Sequence, residues 1–418
     1  MRAKPRYPQS RRHRALAVGL LTVPLVALAA CGNGGGGGGG SSSSASGAGG
    51  SSSAVAASGG AYNIALVSDL SGAFSSVSAP GAAGVEVAVD NINANGGVNG
   101  KKLNLTVIDS QSSASLALSA SQKAIAGNPL ALFMLSGSAD ASAIGSLAQA
   151  AHIPLLSPAL SDTSVYPAQP YLYQPSLTAQ QDASAMYAFV KQREGSLSGK
   201  VVDVAAINSP YVQLIITDVT KLLTAQGAKV NAAQQYNLPL ASFATQADAI
   251  ARDKPNVVLT LGSTDDTVVV SKALTQAGVT ALQVGIPSGA GQQTLQQIDS
   301  PKYYALTADP YASETPSFMA AASEYGKKSD VSGSIFAMSG WVAVYMLADA
   351  LKQCGAGCTS SQVNTALQSV SDLTIPDDVS YGPVAFSSTN HVAVSTVRFR
   401  SYDPATGKFA ESGPISVG

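Results

Sequence analysis

The chain has 418 residues, of which 45% are hydrophobic and 12% charged, with 24 basic against 25 acidic side chains. This is apolar enough to fill large cores, and the length suggests two domains. Its one dense group of basic residues is N-terminal and no basic patch is interleaved with aromatics, so nucleic acid is not an expected partner.

The N-terminus carries Arg2, Lys4, Arg6, Arg11, Arg12 and Arg14 without an acid, then an apolar run from Ala15 to Ala30, the layout of a secretory signal. That run falls short of the roughly 20 apolar residues of a membrane span, and Pro24 interrupts it. Leu28-Ala29-Ala30-Cys31 resembles the lipobox of bacterial lipoproteins. The resemblance implies cleavage after a signal of residues 1–30 and a diacylglycerol on the sulfur of Cys31, which would hold the protein on the extracytoplasmic face of the membrane. The alternative is a cysteine that merely closes an ordinary secretory signal. Ser10-Arg11-Arg12 hints at twin-arginine export, although Arg14 stands where an apolar residue is usual, so the export route stays open. Without the signal, 18 basic and 25 acidic side chains remain, a formal charge of −7. Residues 31–61 are almost wholly Gly, Ser and Ala, with glycine unbroken from Gly34 to Gly40. Such a tether is expected to be a flexible coil reaching roughly 30 Å.

From Tyr62 short apolar runs alternate with helical ones. Ile64–Val67 reads as a buried strand, followed by a helix from about Ala82 with Val85, Val89 and Ile92 at helical spacing, stopped by Asn95-Gly96-Gly97. Strand 103–108, helix 115–126, strand 130–135, helix 139–151 and strand 153–156 continue the rhythm. A second series follows Tyr171–Pro175: helix 179–191, strand 201–206, helix 211–225, strand 229–236, helix 243–252, strand 257–261, helix 267–277, and strands 281–284 and 303–308. A helix over 336–352 and a strand over 392–402 with a turn at Asp403–Gly407 close the chain. Strands alternating with helices predict an α/β fold of two doubly wound, Rossmann-like halves. Beside Cys31 only Cys354 and Cys358 remain, and outside the cytoplasm this pair favours a local disulfide at a helix end over free thiols. A metal site would want more ligands.

Three stretches carry a family resemblance: Asp69-Leu70-Ser71-Gly72-Ala73-Phe74; Ala88-Val89-Asp90-Asn91-Ile92-Asn93-Ala94-Asn95-Gly96-Gly97-Val98-Asn99-Gly100-Lys101-Lys102; and Ile153-Pro154-Leu155-Leu156-Ser157-Pro158-Ala159. They resemble the branched-chain amino-acid-binding family of type I periplasmic solute-binding proteins, and the likeness spans residues 62–418. It implies two lobes joined by three crossovers near 174–177, 308–311 and 381–384. One lobe would be 62–175 plus 310–381, the other 176–309 plus 382–418. Such a protein captures a small polar metabolite, an amino acid or carboxylate-bearing relative, by hinge closure and delivers it to the permease and ATPase subunits of an ABC importer. It is expected to act as a monomer, without a cofactor or metal.

The turn Ser136–Ser142 joins a strand to a helix, where backbone N–H groups suit an anion. Ser138 is either a helix cap or a donor to a ligand carboxylate; the resemblance implies the second, with Ala139 beside it. The same resemblance implies ligand contacts at Ala159 and Ser161, at Tyr211, and at Thr264, Ser288 and Phe74. Tyr211 could equally be a helix-start aromatic packed on its own lobe. Family members that bind leucine-like ligands hold the α-ammonium with an acid where this chain has Ser288, and a cleft tyrosine is replaced by Ser263 or Thr264. An ammonium buried without a carboxylate costs several kcal/mol. Asp265 or Asp266 could supply the missing acid, or both could be helix N-terminal acids.

An enzyme is the first rival reading. The histidines beyond the signal are His152 and His391, and Gly-x-Ser-x-Gly, His-Glu-x-x-His and phosphate-loop patterns are absent. No catalytic role is therefore expected, a secreted serine hydrolase being the remote alternative. A ligand sensor of the same fold, uncoupled from transport, is the nearer one. Trp341 lies in an apolar helix pattern and is expected in the core rather than on a sugar.

Overall fold

A computed structural model describes residues 60–298, 300–371, 373 and 380–418, without the side chains of Ser138, Ala139, Asp140 and Ser142. Cys31, with the signal and tether, lies outside the described residues.

The first sheet is built from β1 (Ala61–Ser68), α1 (Ser75–Ala94), β2 (Lys102–Asp109), α2 (Ala114–Ala126), β3 (Leu132–Leu135), α3 (Ser138–Ala150), β4 (Leu155–Leu156), α4 (Asp162–Val165) and β5 (Leu172–Tyr173). Its strands run parallel in the order β2-β1-β3-β4-β5. The unbroken apolar run of β1 has a direct cause. Ile64 and Leu66 join one core while Ala65 and Val67 join another on the opposite face, and β3 divides Phe133 from Leu132 and Met134 in the same way. A parallel sheet covered on both faces favours a nearly continuous apolar run.

The second sheet follows with α5 (Ala179–Glu194), β6 (Val201–Ile207), α6 (Pro210–Thr224), β7 (Lys229–Val230), β8 (Gln234–Tyr236), α7 (Ala244–Asp253), β9 (Val257–Leu261), α8 (Thr264–Gln276), β10 (Leu282–Gly285), α9 (Gln292–Gln297) and β11 (Tyr303–Thr307). The chain then adds α10 (Pro316–Glu324), α11 (Lys328–Val331), α12 (Phe336–Cys354) and α13 (Ser360–Leu367) to the first core before β12 (Thr396–Asp403), β13 (Lys408–Glu411) and β14 (Ile415–Ser416). The second sheet is mixed: β6, β9, β10 and β11 are parallel, while β12 pairs antiparallel with β11 and β13. The exposed edge strand β13 begins with Lys408 and ends with Glu411, charges that discourage pairing with another chain. These are the two α/β lobes of the expected fold class.

Core membership shows where the chain passes between lobes. Tyr173 belongs to the first core and Leu177 to the second, Ala308 to the second and Ala312 to the first, Ala393 to the first and Val394 to the second. At the third expected crossing, 381–384, Tyr381 Oη bonds Glu411 and Arg400 of the second sheet while Val384 and Phe386 pack in the first core, and the core changes again between Ala393 and Val394. For the same reason the strand expected over 392–402 starts only at Thr396. Val392 instead bridges in parallel to Gln174, so the first and third crossing segments lie side by side.

Other boundaries move for local reasons. Helix α1 begins at Ser75, not near Ala82, and holds Pro80 within it. The lost backbone bond is outweighed by burial of Gly81, Ala82, Gly84 and Val85. The strand expected over 229–236 splits into β7 and β8, and between them Asn231 turns its amide to Asp203 at 2.9 Å. Cys354 and Cys358 form a disulfide at the end of α12. Trp341 is fully buried, its ring edge-on to Phe318 at 5.0 Å. Among the described residues no helix is long and apolar enough to cross a membrane.

Candidate functional site

A cavity of about 210 Å³ opens at the C-terminal ends of strands from both sheets. Its wall takes Leu135, Ser136 and Gly137 after β3, Pro158 and Ala159 after β4, and Ile207 and Ser209 after β6. Gly262 and Ser263 follow β9, Ile286, Pro287 and Ser288 follow β10, and Thr307, Ala308 and Asp309 end β11. Open α/β sheets place ligands at such strand ends. Helix α1 adds Val77, Ser78 and Gly81, and α12 adds Phe336 and Ser339. Phe74, at the start of α1, packs against the second core and lies on Gly137, where a β-carbon would stand 3.5 Å from its ring.

Of the expected site residues, Phe74, Ala159, Tyr211 and Ser288 meet at this wall, with Ser136 and Gly137 from the expected turn. The side chains of Ser138 and Ala139 lie outside the described residues. Ser161 and Thr264 are not among the wall residues. Ser161 stands at the start of α4, its hydroxyl bound with Ser164 (2.8 Å) and Thr163 (3.0 Å), so it organises its own turn. Thr264 opens α8 one residue past the wall residue Ser263. Gln174 fixes the loop before α4, accepting from Leu160 N at 3.1 Å and donating to Pro158 O at 2.8 Å.

The acids beside Thr264 are helix acids. Asp265 is exposed. Asp266 is buried and closes a capping box, accepting from Ser263 N at 2.9 Å and from the hydroxyls of Ser263 and Tyr236. That cap also explains why α8 starts earlier than its periodicity suggests. The anion-suited turn is itself partly filled: Gly137 N donates to Asp69 Oδ2 at 3.0 Å, and Ser110 Oγ and Ser112 N hold the other oxygen.

Two acids that sequence reasoning missed line the cavity. Asp182, in the first turn of α5, is fully buried and accepts a 3.0 Å bond from Tyr211 Oη. Tyr211 Oη also reaches Leu177 O at 3.3 Å, so Tyr211 serves the second lobe and the cavity at once. Asp309, at the second crossing, accepts a 2.7 Å bond from Ser339 Oγ across to α12. Their signals were present: an acid four residues after the cap Thr178, and an acid preceding Pro310 inside an expected crossing. Burial pushes the Asp182 carboxyl up to about 8 against the opposing bond from Tyr211. It pushes Asp309 up to about 7 against the bond from Ser339.

These shifts set a pH dependence. In the unfolded chain both carboxyls lose their protons near 3.8, whereas the folded state keeps them until about 7 and 8. The native state therefore binds more protons through that window, and its stability falls as pH rises. Asp309→Asn is expected to flatten the loss between pH 5 and pH 7 by about 2 kcal/mol, read from urea melts of the ligand-free protein at both pH values.

Neither histidine reaches the wall. His391 is buried, its Nδ1 2.9 Å from Leu172 O and its ring stacked on Tyr173 at 4.2 Å, and burial holds its pKa below the ordinary value. His152 ends α3 with a positive φ of 55° and stacks on Tyr171.

Two α/β lobes with a cavity at their facing strand ends define a two-lobed ligand-binding protein. Residues 61–408 match the family model described as "Periplasmic binding protein". The chain belongs to the periplasmic binding protein family. Solved structures of the same fold include the branched-chain amino acid transporter substrate binding protein LivJ from Streptococcus pneumoniae in complex with isoleucine, at 18% identity and TM-score 0.72, covering 85% of this chain and 99% of that one. A branched chain amino acid ABC transporter protein from Thermus thermophilus with bound valine is similar at 15% identity and TM-score 0.76, with 85% and 96% covered. A fatty acid ABC transporter substrate-binding protein from Thermomonospora curvata is similar at 16% identity and TM-score 0.72, with 85% and 92% covered. No curated protein matches by sequence.

Proposed function

We propose that this protein is the solute-binding component of an ABC importer, anchored to the extracytoplasmic face of the membrane by lipid on Cys31. It captures a small polar metabolite, an amino acid or a carboxylate-bearing relative, as its lobes close about the crossings. The lobes are 62–175 with 310–381 and 176–309 with most of 382–418, the stretch 382–393 going with the first. The ligand is gripped by Phe74, Ala159, Tyr211 and Ser288 and by the turn that includes Ser138 and Ala139. Permease and ATPase subunits receive it, and no bond is broken in the binding protein.

The observation that supports this best is a cavity walled by strand ends of both sheets and by residues of a crossing, Thr307 to Asp309. Closing two rigid bodies on a ligand is the ordinary use of that geometry. Isoleucine and valine in two relatives of this fold point to the size of the solute. The test is a thermal-shift screen of amino acids, amides, polyamines and short organic acids, since a bound ligand raises Tm by mass action. Ala159→Trp fills the wall from a partly buried position and is expected to abolish the shift of any hit while the protein stays folded by circular dichroism. A hit that survives Ala159→Trp would place binding outside this cavity.

A further inference from the structure

We infer that the ligand carries an ammonium group, received by the carboxylates of Asp182 and Asp309. This rests on reading the cavity as the solute site and assigns the missing ammonium partner to α5 and the second crossing, away from Ser288.

Four observations converge. Among the described residues the wall contains two aspartates and no Lys, Arg or His. Asp182 is 0% exposed, and its Oδ1 is buried without a hydrogen-bond partner, a state that buried carboxylates normally avoid. The turn that could hold an anion is already occupied at Gly137 N by the carboxylate of Asp69, so a ligand carboxylate arriving at that N–H competes with an acid already there. The rest of the surface is largely aliphatic and aromatic, including Phe74, Val77, Leu135, Val212, Ile286 and Phe336.

The charges stand on separate elements. Asp182 lies on α5 in the second lobe, and Asp309 lies at the passage to the first, bound to Ser339 of α12. A cation between them would compensate both carboxylates and tie the elements together, which gives closure a reason to depend on the ligand's charge. Burial keeps both carboxyls partly protonated near neutrality, so an arriving ammonium displaces protons to solvent. Asp162, half-buried near Asp182, adds to the negative field.

The test is calorimetry on the full chain at pH 7 with four probes of one carbon skeleton: leucine, isopentylamine, 4-methylpentanoate and 3-methylbutan-1-ol. Leucine and isopentylamine are expected to bind about 100-fold more tightly than the acid and the alcohol, with heats that change with buffer ionisation enthalpy as protons are released. Asp309→Asn and Asp182→Asn should each weaken the two ammonium probes by at least roughly 30-fold. Asp265→Asn, an exposed acid off the wall, should leave binding unchanged. Equal binding of 4-methylpentanoate or 3-methylbutan-1-ol, or undiminished ammonium binding in folded Asn variants, overturns the cation assignment and leaves the solute site standing. If none of the four binds at millimolar concentration, the cavity is not a receptor for solutes of this size and the proposal falls with it.

Discussion

Gly340→Val is expected to cost about 3 kcal/mol or more of stability, a fall of roughly 6 °C or more in Tm, because helices α1 and α12 meet there backbone to backbone. A β-carbon at Gly340 would stand 2.2 Å from Gly81 O and 3.0 Å from Val85 N. From the other side, one at Gly84 would stand 2.0 Å from Ala337 O and 2.8 Å from its carbonyl carbon. Every obstacle is main chain, so relief requires the helices to separate, and α12 then withdraws Trp341, Val344 and Leu347 from the first core. Alanine gives the sharper test of sign. It is a better helix former than glycine by about 1 kcal/mol, so a Gly340→Ala protein that melts lower shows that the contact outweighs propensity. Gly413→Ala, where nothing lies within 4 Å, should stay within about 0.5 kcal/mol of the parent. The seam also bears on the cavity, since α1 places Val77, Ser78 and Gly81 on its wall and α12 places Phe336 and Ser339 there.

Strands β1, β3, β6 and β9 were legible because a doubly covered parallel strand reads as a nearly continuous apolar run, with few polar exceptions such as Asp203 and Thr260. What the sequence hid was tertiary. The first helix was expected only from about Ala82, where its apolar spacing begins, whereas the close approach of α12 makes helix worthwhile through Pro80 and Gly81. Near the third passage Val384 and Phe386 pack in the first core, and their apolar side chains say nothing by themselves of which core receives them.

The candidate site divides along the same line. Phe74, Ala159, Tyr211 and Ser288, which the resemblance alone had picked out, line the cavity at strand ends and helix starts. The signals of Asp182 and Asp309 carried no weight because an acid in a first helical turn and an acid before a proline have ordinary local explanations. Burial alone makes them unusual, and burial is a property of the assembled lobes. The Ser161 hydroxyl, which the resemblance placed at the ligand, is bound with Ser164 and Thr163 beside it.

Arg400→Met is expected to lower the unfolding free energy by about 3 kcal/mol, whereas Arg398→Met, two residues away on the same strand, should cost less than about 1 kcal/mol. The difference lies in burial and geometry. The Arg400 side chain is 5% exposed, and its guanidinium meets Glu314 Oε2 and Glu411 Oε1 at 2.7 Å each and Tyr381 Oη at 2.9 Å, lying 3.8 Å over the Tyr311 ring. Arg398 is 33% exposed, pairs with Glu411 at 2.8 Å and lies 4.9 Å over the Tyr381 ring. Losing Arg400 leaves two carboxylates facing each other with an empty slot between two tyrosines; Glu314 is 47% exposed, and its access to water keeps the loss below the upper end for buried pairs. Arg400→Lys should recover only part of the loss, since an ammonium cannot fork to both acids while stacking on Tyr311. Glu314 follows the second crossing and Tyr381 N donates to Ala308 O, so this cluster also braces the segment that carries Asp309. Urea melts read the effect as a lower midpoint with unchanged m, and an altered m would instead mean that the substitution has uncoupled the two lobes.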